Sequence, residues 1–94
     1  MLNLKEITVT LVNDTFQSIK TLFDSDIRGY HDSIEFFQFV MSIRYGFEID
    51  DCRTQVLPNG ICTTIDVVYQ TQKVCEYIRV EAWYTERGCD WRIN

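Results

Sequence analysis

His31 is the only histidine in the chain, and Asp32 follows it directly. An imidazole beside a carboxylate could act as an oriented general base. Adjacent residues seldom point at one another productively, however, and Gly29-Tyr30-His31-Asp32 reads most simply as the lead into a helix. Asp50 and Asp51 form a carboxylate pair that could hold a cation, yet no EF-hand spacing or glycine-hinged loop accompanies them. The cysteines stand at 52, 62, 75 and 89, with no pair two to four residues apart. Structural zinc usually takes at least one such tight pair. There is no glycine-rich phosphate loop. The expectation is a chain that is not an enzyme, with no catalytic residues, no metal and no cofactor.

What remains is chemistry of recognition. Between residues 24 and 51 lie Asp24, Asp26, Asp32, Glu35, Glu48, Asp50 and Asp51, against only Arg28 and Arg44. This segment accounts for the whole formal charge of −5, and the rest of the chain balances. Acids near a helix start are favoured by its dipole. Glu48, Asp50 and Asp51 instead follow the expected C-terminus of the second helix, where the dipole disfavours them. The expectation is an acidic rim at both ends of that helix, suited to a basic surface. A second candidate is the row Tyr77, Arg79, Glu81 and Trp83. Aromatics with arginine on a polar surface have the composition of an interface hot spot.

Two hairpins must position these groups. Ile61, Thr63, Ile65, Val67 and Tyr69 alternate with Cys62, Thr64, Asp66, Val68 and Gln70, the period of a half-buried strand. From Val74 to Tyr84 the alternation returns, with Val74, Ile78, Val80, Ala82 and Tyr84 on one face. A turn at Thr71-Gln72 would pair Ile65 with Ile78 and Thr63 with Val80. A loop longer by two residues would keep the same faces. Asn59-Gly60 has the composition of a type I′ turn, which would set Val56 against Thr63 and Cys52 against Val67. Arg87-Gly88 would turn the chain again and set Tyr84 against Trp91. The outer face then carries Tyr77, Arg79, Glu81 and Trp83 beside Thr64 and Asp66.

At the N-terminus, residues 3–12 alternate Ile7, Val9 and Leu11 with Glu6, Thr8 and Thr10, which predicts a first strand. Asn13-Asp14-Thr15 offers caps for a helix carrying Phe16, Ile19, Leu22 and Phe23. Asp24-Ser25-Asp26 and Gly29 predict a break. A second helix is expected from Asp32, with Asp32 and Glu35 at capping-box spacing, to a C-terminal Gly46. The order is β-α-α-β-β-β-β. It predicts one α+β domain over 1–94, with an antiparallel sheet of about five strands, near 3–12, 47–57, 61–70, 74–85 and 90–93. The two helices would cover one face. A helix on an antiparallel meander resembles the cystatin-like topology, but neither a Q-x-V-x-G loop nor a Pro-Trp loop is present. No inhibitor residues follow from the resemblance.

A hydrophobic content of 46% with 14% aromatic residues predicts a folded globule. No apolar run approaches the ~20 residues of a membrane span. Met1 to Leu11 lacks the pattern of a signal peptide, so the expectation is a cytoplasmic protein with reduced thiols, in a host cell if phage-encoded. A net charge of −5 argues against direct nucleic-acid binding. The function expected is that of a small acidic binding protein that occludes a basic surface of a nuclease or nucleic-acid-binding complex. Phage anti-CRISPR and anti-restriction proteins, immunity proteins and antitoxins belong to this class. The alternatives are a ligand-binding or enzymatic domain with an apolar pocket lined by Phe36, Phe37, Phe39, Val40 and Trp91, or a homo-oligomer through the open sheet face.

Overall fold

The computed structural model describes residues 3–23, 26–70, 72 and 75–94. Helices α1 (Leu4–Phe23) and α2 (Ile27–Phe39) come first, and α2 runs on into a π-helical turn, Val40–Arg44. Four strands follow: β1 (Glu48–Leu57), β2 (Gly60–Gln70), β3 (Cys75–Thr85) and β4 (Gly88–Ile93). They form one antiparallel sheet in chain order. Both helices lie on one face, so the fold is α+β with four strands, not five.

The missing strand is the N-terminal one. Residues 3–12 belong to α1, because a second period runs through the same residues. Thr8, Val12, Thr15, Phe16, Ile19 and Phe23 are the buried positions, a stripe at helical spacing that continues into the run beyond Asn13. Threonines cost helix propensity. Here Thr8 Oγ1 donates to the Leu4 carbonyl at 2.8 Å and Thr15 Oγ1 to the Leu11 carbonyl at 2.9 Å. The two buried hydroxyls therefore need no partner outside the helix. The start is fixed by a reciprocal cap. Asn3 N–H donates to Glu6 Oε2 at 3.1 Å, and Glu6 N–H donates to Asn3 Oδ1 at 2.8 Å. The cap thus lies at Asn3 and not at Asn13-Asp14-Thr15.

The second helix also starts earlier than Asp32. Asp26 is its N-cap, accepting from Gly29 N–H at 2.7 Å. Gly29 does not break the helix. It is buried, and its carbonyl accepts from Ser33 Oγ at 2.7 Å. At the other end Gly46, at φ 71°, closes the π-turn, and Phe47 N–H donates to the Met41 carbonyl at 2.9 Å. The expected C-terminal glycine is therefore in place.

In each hairpin the partners differ by two residues from the expected register, which keeps the faces, except that the irregularity at Asp50 exchanges the faces of Glu48 and Ile49. Ile65 pairs with Val80 and Thr63 with Ala82. Thr54 pairs with Thr63 and Cys52 with Ile65. Ala82 pairs with Trp91. Leu57 opposite Gly60 makes Pro58-Asn59 the centre of the first turn, where proline's fixed φ suits the leading position. Gly60 is not at positive φ. It is needed for close approach: a Cβ there would run into the Tyr84 carbonyl oxygen and lie 3.0 Å from Thr85 Cα. The left-handed glycine is Gly88, at φ 101°. The Thr71-Gln72 turn and the strand start at Val74 lie outside the described residues, except for Gln72, which sits at a bend.

The core lies between the helices and the inner sheet face. Phe16 is its centre, 4.4 Å from the Phe37 ring, 5.1 Å from Phe23 and stacked at 5.5 Å on Trp91. Ile65, Val67, Ile78, Val80 and Ala82 are buried beneath. The helical layer stops short of the distal part of β1, where Cys52 to Val56 are exposed and Val56 is 82% accessible.

Candidate functional site

The sheet face away from the helices has no described element over it. Strand parity puts Glu48, Asp51, Arg53, Thr64, Asp66, Tyr77, Arg79, Glu81, Trp83, Asp90 and Arg92 on this face. Asp50 sits at the register shift between Ile49 and Asp51, a bulge that re-aims its side chain. It borders a shallow hollow on this face with Asp66, Tyr77, Arg79 and Asn94. Two groups that the sequence presented separately, the acids after the second helix and the aromatic row, therefore share one surface.

Charge is ordered across it. Asp51 stands opposite Asp66, an unfavourable like-charge pair. Each is drawn to an arginine, Asp51 to Arg53 at 3.0 Å and Asp66 to Arg79 at 2.9 Å. Glu81 accepts from Arg92 at 2.9 Å and from Asn94 at 2.8 Å. Those bonds hold the Glu81 carboxyl below its usual range, Arg92 contributing most. The hydrogen bond from Arg79 to Asp66 raises the arginine further above its ordinary value. All three arginines of the face are thus engaged, while Glu48 and Asp50 form no ion pair among the described residues.

Two apolar islands flank this ladder. Val68 lies between Glu48 and Tyr77 in the register and is 5% exposed, beside a Tyr77 that is 58% exposed. Cys62 pairs with Trp83 and is buried. Burial pushes its thiol up, away from nucleophilic use. Trp83 is half-buried, with the Arg92 guanidinium 5.6 Å from its ring centroid. Helix α1 does not cover it, because that helix lies on the opposite face.

The remaining acids are elsewhere. Asp26 is used as the cap of α2. Asp32 and Glu35 are exposed within α2, on the helical layer. Since the helix begins at Ile27, they do not form a rim at its start. Asp24 lies outside the described residues. Asp66 is the residue that the acidic segment did not include; its outward position on β2, opposite an arginine, is the signal that marks it.

The other chemistry is not assembled. His31 and Asp32 are consecutive in a helix, diverging by about 100°. None of the four cysteines is joined in a disulfide, and no group of three potential metal ligands occurs among the described residues. Phe37 is fully buried while Phe36 and Phe39 are 48% and 58% exposed, so the five residues expected to line an apolar pocket do not converge on one space. Among the described residues no helix is long and apolar enough to cross a membrane. No family model, no curated protein and no solved structure matches the chain.

Proposed function

We propose that the chain is a non-enzymatic binding protein whose open sheet face occludes a basic, nucleic-acid-binding surface of a partner protein. The observation that carries this reading is the charge order of that face. Its arginines are all engaged by acids of the same chain, while Glu48 and Asp50 form no ion pair among the described residues and lie beside an exposed Tyr77. A lysine or arginine of the partner placed in the hollow would meet the Asp50 carboxylate and the Tyr77 ring, an ion pair and a cation–π contact together. The chemistry suits an inhibitor of a nuclease or nucleic-acid-binding complex, of the anti-CRISPR, anti-restriction, immunity or antitoxin kind. Such a protein competes by presenting carboxylates where the partner binds phosphates.

The test is retention of partners from nuclease-treated lysate of the native cell on the immobilised chain, at low and high salt. The wild type is compared with Tyr77→Ala and with the double variant Asp50→Lys/Asp51→Lys. The expected result is a basic nucleic-acid-binding protein held at low salt, released at high salt, and lost from both variants. Retention that neither variant alters overturns the reading.

A further inference from the structure

The opposite side of the molecule carries an apolar surface that the open sheet face does not explain. On α2 and its π-turn, Phe36, Phe39 and Ile43 follow one another at helical spacing and point away from the core. They are 48%, 58% and 70% exposed, and Tyr45 beyond them is 37% exposed. Phe36 and Tyr45 also border a groove between α1 and α2, formed with Asp14, Ser18, Val40 and Arg44. At roughly 200 Å² per large side chain these exposures leave on the order of 400 Å² of apolar surface. That is the size of patch that on a monomer is often functional.

The π-turn helps to create this surface. In an α-helix Tyr45 N–H would bond the Met41 carbonyl; here it donates to Val40 at 3.2 Å. The extra residue lets Met41 and Phe47 both reach the core, fully and almost fully buried, while Ile43 and Tyr45 are left outside. Such turns recur at functional sites.

We propose that this stripe is the interface of a homodimer, with α2 of one copy packed antiparallel against α2 of the other about a two-fold axis. The charge at its ends favours a second copy as the occupant. Asp32 and Glu35 stand at the N-terminal end of the stripe and Arg44 at its C-terminal end. An isologous antiparallel pair sets the acidic end of each helix beside the partner's arginine, twice. It also seats Phe39 near the dyad and brings Phe36 of one copy toward Ile43 of the other. Two such patches bury on the order of 800 Å² of apolar surface. With the charged rim included, the contact approaches the ~1,200 Å² at the lower end of stable interfaces. The dimer leaves both open sheet faces outward.

Solution mass of the full chain by sedimentation or light scattering tests this. The wild type is expected at twice 11.2 kDa. Phe39→Asp is expected as a folded monomer with unchanged circular dichroism and a melting temperature that no longer depends on protein concentration, because Phe39 is exposed and not part of the buried core. Arg44→Glu weakens the dimer at least tenfold in Kd, and Asp32→Lys combined with Arg44→Glu restores it. A monomeric wild type overturns the proposal. So does a dimer that survives Phe39→Asp, or one that is lost on Tyr77→Ala, which would move the interface to the open sheet face.

Discussion

The Tyr30 side chain is fully buried, and its hydroxyl ties three elements together. It is bonded to Thr63 Oγ1 at 2.6 Å and donates to the Ala82 carbonyl at 2.9 Å, joining α2 to β2 and β3. Tyr30→Phe leaves both oxygens in place without their partner, so a loss of about 1–2 kcal/mol is expected in a urea titration. Burial pushes the phenol up to about 12 from 10. The native state therefore holds that proton more tightly than the unfolded state does. The associated stability is complete below pH 10 and is lost as pH rises from 10 to 12. Alkaline unfolding should track phenolate absorbance in that window, and Tyr30→Phe should blunt the dependence. Gly60 offers a second test. A methyl at this position meets the backbone of β3, which cannot move without breaking the β2–β3 ladder. Gly60→Ala should cost roughly 2 kcal/mol or more, read as a lowered melting temperature. Among the outer aromatics, Tyr77 is a cleaner probe of binding than Trp83. Trp83 lies over Cys62 and under Arg92, so its removal disturbs the sheet as well as any interface.

Helix α1 shows how one stretch can satisfy two periods. Ile7, Val9 and Leu11 alternate with polar residues, and threonine and valine favour strands. The helical stripe from Thr8 to Phe23 is longer, and it buries two phenylalanines against the sheet. Burial at about 1.5–3 kcal/mol per large side chain outweighs propensity differences of a few tenths per residue. The Asn3–Glu6 cap should contribute as well. Asn3→Ala is expected to cost about 1 kcal/mol, seen in thermal unfolding and as faster amide exchange in the first turn. That cap was legible in the sequence as an Asn-x-x-Glu pattern, masked by the β-like run it begins. The bulge at Asp50 was not legible. Nothing in Glu48-Ile49-Asp50-Asp51 signals the register shift that brings Asp50 to the hollow.

For the whole molecule, a two-layer fold leaves one sheet face open and gives it an excess of carboxylates. Asp50 is exposed, and Asp51 forms only a surface pair with Arg53. Reversing both to lysine should change stability by no more than about 0.5 kcal/mol. Partner binding should fall at the same time, and wild-type affinity should drop steeply as salt rises. A calorimetric melt beside a binding titration separates the two effects. Large destabilisation by the double variant would mean that the carboxylates hold the sheet together.

Composition, alternation and turn residues by themselves determined the meander of four strands, the presence of two helices and the faces of the strand residues other than Glu48 and Ile49, which the bulge at Asp50 reverses. Strand faces survive because side-chain direction has a period of two. From Asp51 onward the register could move by two residues in all three hairpins without exchanging inner and outer positions. Tertiary structure alone decided the state of residues 3–12, since whether their helical or their β period is buried depends on what packs against them. It also decided which acids share a surface. Asp32 and Glu35 differ little from Glu48, Asp50 and Asp51 along the chain, but the helices and the sheet they belong to occupy separate layers. The hydrophobic core between those layers holds the two sets apart.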